Sequence, residues 1–118
     1  MSDAESGPLA GLKAVEITSI YSGPYAGMML AEMGAEVTKV EGPDGPDPMR
    51  AAGLGTGPDS VSSVFYSLNR GKRFLSIDAQ TDRGREVLFE LVCGADVFLT
   101  NMRAGKADAL GGWCFSGV

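Results

Sequence analysis

The chain has 118 residues, of which 44% are hydrophobic and 21% are charged, and its net charge at pH 7 is −5. This length allows one globular domain, and the acidic balance argues against general nucleic-acid binding, which requires a basic surface. No apolar run reaches the roughly 20 residues of a membrane span, and the polar amino terminus lacks the features of a secretion signal. We therefore expect a cytoplasmic protein without a membrane contact.

The sequence contains no histidine. A Ser-His-Asp triad, a Cys-His pair and a zinc-metalloprotease helix are therefore excluded within this chain. The two cysteines, Cys93 and Cys114, do not make a disulfide framework, and we expect reduced thiols in a cytoplasmic protein, with Cys93 in the core. Two cysteines without histidine are a poor zinc site, so we predict no metal.

The first part of the chain predicts a strand, a helix and a second strand. Residues 12–18, LKAVEIT, are β-branched and partly alternating, as is typical of a strand. A helix over about residues 24–33 follows, with Pro24 in its first turn. Residues 35–41, AEVTKVE, form the second strand, which a right-handed crossover makes parallel to the first.

Local signals mark both ends of this helix. Ser22 can cap its start, and Gly34 can end it in the left-handed conformation. We expect Met28, Met29 and Met33 to supply its core surface.

The rest of the chain is less regular until its last two elements. It predicts, in order, a Gly- and Pro-rich loop at 42–60, an ambiguous segment at 61–69, a strand at 74–79, a helix at 82–93 and a strand at 96–101. The segment at 61–69 fits either a short helix or a strand, and we predict a helix. Thr81 and Asp82 can cap the later helix. The fold class is therefore α/β, a Rossmann-like parallel sheet, with too few helices to cover both faces. Because residues 113–118 are an apolar tail without an element, we expect a piece of a longer protein.

The corner Ser22-Gly23-Pro24 is the first candidate site. With Gly27 it reads G-x-x-x-G, which is neither the dinucleotide fingerprint nor a Walker loop. It is either a tight turn or an anion site at a helix amino terminus, with Tyr21 and Ser22 at the carboxyl edge of the sheet.

Two further polar segments lie beside strands. The cluster RGKR, residues 70–73, concentrates positive charge in an acidic chain and suggests a phosphate-bearing ligand. Residues 101–105 follow the last strand. We expect all three segments to meet at one sheet edge, where Glu16, Glu41 and Asp78 could pair with the basic charge.

Three quoted pieces, in this order, resemble the family III CoA-transferases, which include the α-methylacyl-CoA racemases. They are GP…LA-x-MGAEV-x-KVE, N-R-G-K-R and ADV…N-x-R-x-G, and the resemblance covers residues 8 to about 111. It implies a Rossmann-like large domain that binds coenzyme A or acyl-CoA in interlocked homodimers. It also implies that residues 1–111 are the amino-terminal coenzyme-binding part and that 112–118 form a divergent tail.

The resemblance implies a use for each polar segment. Ile20, Tyr21 and Ser22 would line the coenzyme beside the first helix. The adenosine and phosphate end would lie near Asn69, Arg70, Gly71, Lys72 and Arg73, and Asn101, Met102 and Arg103 would touch the nucleotide or the pantetheine arm.

The sequence also departs from the family pattern. Gly42 and Met102 stand where many members have a basic and an aromatic residue, and the region with the catalytic aspartate has no counterpart here. We therefore assign no catalytic residue and expect this chain alone to be inactive. An acyl-CoA racemase fragment and a non-catalytic CoA- or nucleotide-binding module remain alternatives. A nicotinamide-dependent domain is a third, against which the missing G-x-G-x-x-G argues.

Overall fold

The protein is described by a computed structural model that covers residues 7–52, 62–103 and 105–110. Its centre is one four-stranded sheet made of β1 (Lys13–Ile17), β2 (Glu36–Glu41), β3 (Arg73–Ser76) and β4 (Val97–Thr100). The spatial order is β3-β2-β1-β4, and each neighbouring pair is parallel. The predicted α/β class with a parallel sheet is confirmed.

Three α-helices connect these strands: α1 (Ser22–Glu32), α2 (Ser63–Asn69) and α3 (Asp82–Cys93). The ambiguous segment predicted as a short helix is indeed helical, as α2. Short 3-10 helices lie at Pro48–Arg50 and Asp108–Leu110, and the first interrupts the predicted long loop. Residues 53–60 of that loop, residue 61 at the start of the predicted helix, and the tail at 112–118 lie outside the described residues.

The helices lie on opposite faces of the sheet. Leu88 and Val92 of α3 pack with Val15, Val40 and Ile77. On the other face, Ala31 of α1 packs against Ala14 of β1 and Val37 of β2. Since alternate strand residues point to opposite faces, the sheet is doubly wound, and α2 lies on the same side as α1. Both faces therefore carry helix, contrary to the expectation from the helix count.

The helix starts follow local side-chain chemistry. The hydroxyl of Thr81 accepts a hydrogen bond from Gly84 N at 3.0 Å, as its cap role predicts, and Ser62 caps α2 in the same way. The prediction for Ser22 was wrong, because Ser22 is the first residue of α1 and Tyr21 precedes it without a side-chain cap. Gly34 has φ of 102°, the left-handed conformation expected at the end of α1.

The methionines are less buried than predicted. Met28 is in the core, but Met29 and Met33 are exposed. The reason is that α1 faces the sheet with its small residues, since Gly23, Gly27 and Ala31 recur at four-residue spacing and are buried. The core prediction for Cys93 was also wrong, because Cys93 is exposed. Among the described residues, we find no helix long and apolar enough to cross a membrane.

Candidate functional site

The point where the strand order reverses lies between β1 and β4. From β1 the chain proceeds outward to β2 and β3, and α3 then returns it to the other side of β1. In open parallel sheets such a switch point leaves a crevice at the carboxyl ends of the two strands. Here Asn101 joins the two loops, because its Nδ2 donates to Ser19 O at 2.7 Å and its Oδ1 accepts from Ser19 N at 3.1 Å.

A cleft of about 510 Å³ opens at this edge. The loop after β1 lines it with Thr18 and Ser19, and the loop after β4 lines it with Asn101, Met102 and Arg103. Arg103 is exposed, as is Lys106 beyond it, so the mouth of the cleft carries two cations. Two carboxylates, Asp47 and Glu41, also line the cleft, and they are paired with Lys39 and Arg50. The structure therefore brings together the polar residues that follow β1 and β4, and the exposed cations at the mouth suit an anionic ligand.

The loop after β1 has an unusual backbone. Ile20 has φ of 73°, and no other non-glycine residue in the described segments has a positive φ. This conformation is unfavourable for a β-branched residue and is found where surrounding contacts enforce it. Its side chain is 41% exposed, and Tyr21 and Ser22 beside it are also exposed. The side chains of all three residues are therefore exposed to solvent at the start of α1.

The G-x-x-x-G pattern of α1 has a packing role. A Cβ at Gly27 would lie 2.2 Å from Glu16 Oε1, and a Cβ at Gly23 would lie 2.6 Å from Thr18 Cβ. These glycines let α1 approach the polar face of β1 so closely that no side chain fits between them. Of the two interpretations of the corner, close packing is therefore sufficient to explain both glycines.

A buried network of charged and polar side chains lies beneath α1 and α2. Lys72 Nζ lies 2.5 Å from Glu16 Oε1, Lys39 Nζ lies 2.7 Å from Asp47 Oδ2, and all four side chains are fully buried. Asn69 Oδ1 joins the two pairs by accepting from both lysines, at 2.8 and 3.1 Å. Buried charges are tolerated when they are paired and hydrogen-bonded in this way.

The cluster at residues 70–73 does not join the cleft, so the prediction that three segments meet at one edge was wrong. The cluster precedes β3 and lies at its amino-terminal end, whereas the other two segments follow strands. Arg70 pairs with Glu32 at the end of α1 (2.6 Å), and Arg73 pairs with Glu36 at the start of β2 (3.1 Å).

The three carboxylates expected to pair with basic charge differ in their partners. Glu16 does pair with Lys72 of that cluster. Glu41 pairs instead with Arg50, through two contacts of 2.6 and 3.0 Å. Asp78 accepts from Gln80 N and so stabilises the turn before α3.

A second, smaller pocket of about 350 Å³ lies beside β3. Arg50 stacks on Phe65 with 4.2 Å between guanidinium carbon and ring centre, and Phe65 lies 5.8 Å from Phe74. Tyr66 and Arg70 complete its exposed rim, while Asn69 and Lys72 lie at its buried side. This pocket collects residues 69–72 of the predicted segment around aromatic side chains, whereas Arg73 is not among its lining residues.

Sequence reasoning missed Lys39, Asp47 and Arg50. Asp47 and Arg50 lie in a loop without periodicity, so no pattern marked them. Lys39 could have been recognised from the sequence, because side chains two residues apart in a strand point to the same face. Lys39 follows Val37 by two residues and therefore points to the same buried face.

The network shifts several acid–base equilibria. Burial raises the pKa of Asp47, but hydrogen bonds from Lys39 and from the backbone of Met49 and Ile20 outweigh it, so the pKa is lowered. Burial also raises the pKa of Glu41, but the hydrogen bonds from Arg50 and Asp47 N and the charges of Arg50 and Lys39 together outweigh it, so the pKa is lowered. For Lys72 burial dominates the attraction of Glu16, and its pKa is lowered.

The comparison with protein families identifies the family to which this chain belongs. Residues 9–112 match the model of CoA-transferase family III. The match covers most of the chain, and the chain belongs to this family.

Curated relatives agree with this assignment. The chain is 39% identical over 101 residues to the succinate–glutarate CoA-transferase of Agrobacterium fabrum, covering 81% of this chain and 25% of that protein. It is 41% identical over 110 residues to the succinyl-CoA:mesaconate CoA-transferase of Haloarcula hispanica, covering 86% of this chain and 26% of that protein. The chain thus spans about a quarter of the length of these relatives.

Solved structures agree in fold. A CAIB/BAIF family protein from Brucella suis superimposes with a TM-score of 0.79 and 39% identity, over 88% of this chain and 28% of that one. The protein Rv3272 of Mycobacterium tuberculosis superimposes with a TM-score of 0.78 and 33% identity, over 89% of this chain and 29% of that one.

Proposed function

We propose that this chain is the coenzyme A-binding, amino-terminal part of a family III CoA-transferase, which moves coenzyme A between carboxylic acids. The observation that carries the proposal is the cation-rimmed cleft at the sheet's switch point, in a chain of this family. Coenzyme A has phosphates that need cations and a long flexible arm that needs a groove. The curated relatives, which are CoA-transferases, favour transfer over racemisation.

The chemistry itself belongs to residues beyond this chain. By family resemblance, an aspartate there attacks the acyl-CoA thioester, the thiolate of coenzyme A leaves, and an enzyme-bound anhydride forms. The thiolate then attacks this anhydride, releasing the acyl group as a carboxylate and leaving the aspartate joined to coenzyme A as a thioester. We propose the cytoplasm and a homodimer as the setting of the whole enzyme.

Two walls of the cleft are proposed to hold the ligand. Residues 101–103 line the wall after β4, and Thr18 and Ser19 line the wall after β1. Ile20, Tyr21 and Ser22 continue that loop into α1 just outside the cleft lining, where they are exposed. Arg103 is exposed and can approach a phosphate without leaving another partner in the described residues.

The adenosine and phosphate end is proposed to lie near residues 69–73. There Arg70 is the exposed cation beside the smaller aromatic pocket, and Tyr66 offers a ring for stacking. Asn69 and Lys72 face inward in this arrangement, so their contribution is to hold the pocket wall. Arg73 pairs instead with Glu36 at the start of β2.

Calorimetric titration of the 118-residue chain with coenzyme A tests the proposal. We expect saturable binding, and Arg103→Ala should weaken it roughly tenfold, because a charge-assisted hydrogen bond contributes about 1.5–3 kcal/mol. Arg70→Ala should weaken it similarly if the phosphate end lies at the smaller pocket.

Lys13→Ala is the matched control, since it removes the same charge from an exposed site at the amino end of β1. Its affinity should equal that of the unsubstituted chain. Absence of binding, or an equal loss in all three variants, would contradict the proposal.

A further inference from the structure

The loop that forms one wall of the cleft is held from below by a buried carboxylate. Asp47 Oδ1 accepts a hydrogen bond from Ile20 N at 3.1 Å and another from Met49 N at 3.0 Å. Its other oxygen, Oδ2, lies 2.7 Å from Lys39 Nζ. One carboxylate therefore joins the loop after β1, the loop after β2 and the interior of the sheet.

The carboxylate is itself rigidly placed. Lys39 lies in β2 with no exposed surface, and its ammonium also donates to Asn69 Oδ1 at 3.1 Å. The backbone of Asp47 is fixed as well, because its N–H donates to Glu41 Oε2 at 2.7 Å. Asp47 thus cannot follow the loop after β1 if that loop moves, and instead restrains it.

The residue that it restrains is the strained one. Ile20 has φ of 73°, and an isoleucine released from tertiary contacts adopts negative φ because its branched side chain clashes with the backbone otherwise. A hydrogen bond to Ile20 N is formed only when that N–H points toward Asp47. The contact that carries the restraint is therefore the 3.1 Å hydrogen bond.

We propose that Asp47, anchored by Lys39, is a positioning residue that keeps Ile20 in the left-handed conformation and thereby sets the course of the preceding residues Thr18 and Ser19, which form the cleft wall, for its ligand. The inference rests on the proposed function for the identity of that ligand, coenzyme A. The restraint on the backbone stands independently of it.

The first measurement reports the backbone of Ile20 without ligand. In an isotope-labelled sample of the 118-residue chain, positive φ brings the amide proton and Hα of one residue unusually close and gives a strong intraresidue nuclear Overhauser cross-peak. We expect a strong cross-peak at Ile20 in the unsubstituted chain and a much weaker one in Asp47→Ala, because negative φ separates the two protons. Asp44→Ala, which removes an exposed carboxylate from the same loop, is the control and should retain it.

The second measurement is coenzyme A affinity in two backgrounds. Asp47→Ala should weaken binding by about tenfold when residue 20 is isoleucine, the size expected when a strained conformation must be restored on binding. In an Ile20→Gly background the same substitution should change affinity by less than about twofold, since glycine adopts positive φ without strain. A purely structural role of Asp47 would lower affinity equally in both backgrounds.

The outcomes separate the two proposals. An equally strong Ile20 cross-peak in Asp47→Ala, or an equal loss of affinity in both backgrounds, overturns the inference. If the unsubstituted chain does not bind coenzyme A, the proposed function fails. The NMR comparison then decides the restraint alone: a much weaker cross-peak supports it and an unchanged intensity overturns it.

Discussion

Gly27 is the residue on which the close approach of α1 to the sheet depends most. Glu16, directly below it, is completely buried and is held by Lys72 and by the hydroxyl of Thr18. A methyl group at position 27 would lie 2.2 Å from Glu16 Oε1 and 2.9 Å from its Cδ. Neither the carboxylate nor the helix can yield without disturbing the buried ion pair.

We predict that Gly27→Ala destabilises the protein by about 1–3 kcal/mol, the usual cost of overpacking a tight interior. Urea unfolding should show a lower midpoint with an unchanged slope. Gly94→Ala is the control, because the nearest atom to its Cβ, Glu90 O, is 3.5 Å away, an ordinary contact. It should lie within about 0.5 kcal/mol of the unsubstituted chain. Equal stability of Gly27→Ala and Gly94→Ala would contradict the packing role of Gly27.

At the scale of elements, the Glu16–Lys72 pair connects β1 with the segment that leads into β3. Lys72 also donates to Pro24 O at 2.9 Å and to Asn69 Oδ1 at 2.8 Å, so its ammonium touches α1 and α2 as well. One side chain thereby fixes two helices and a strand relative to each other.

We predict that Lys72→Met costs about 3–5 kcal/mol, because it leaves the Glu16 carboxylate buried without its counter-charge. Adding Glu16→Gln should recover part of this loss, since the double variant buries no unpaired charge. Chemical denaturation of both variants measures the difference. Arg73→Met, which breaks the exposed pair with Glu36, should change stability by less than about 1 kcal/mol. A double variant less stable than Lys72→Met would show that the pair does not act as described.

The sequence was sufficient to predict the elements but not their arrangement around the site. Hydrophobic periodicity, Thr81 as a cap and Gly34 as a terminator correctly indicated every strand and α-helix that the structure describes. The position of residues 70–73 was an avoidable error, because residues before and after parallel strands lie at opposite ends. Asp47 and Arg50 could not have been found, since only the folded loop brings them to Ile20, Lys39 and Glu41.

For the molecule as a whole, the contacts of Asp47 with Lys39 and of Glu41 with Arg50 connect the loop after β2 to the sheet through ionised carboxylates. Asp47 and Glu41 both have a lowered pKa, because hydrogen bonds and nearby cations favour their charged forms more than burial opposes them. Deprotonation of both groups therefore stabilises the folded state relative to the unfolded chain. The loop carries part of the cleft, so conditions that protonate them should loosen the site as well as the fold.

We predict a stability that is independent of pH near neutrality and falls in acid. In the unfolded chain the two groups titrate near their ordinary pKa values, 3.8 for Asp47 and 4.5 for Glu41, and the folded values are lower. Between each pair of values the unfolded state binds more protons, so stability rises with pH there. The contribution is complete above the unfolded pKa values and is lost as the pH falls through the folded ones.

Urea unfolding at intervals from neutral to acidic pH measures this dependence. The double variant Glu41→Gln with Asp47→Asn should be less stable at neutral pH, because Lys39 and Arg50 then lack charged partners. Its stability should nevertheless decline less steeply in acid, since the two responsible groups no longer titrate. An equally steep decline in both proteins would assign the acid sensitivity to other carboxylates and would remove the link between the ionised loop and the stability of the fold.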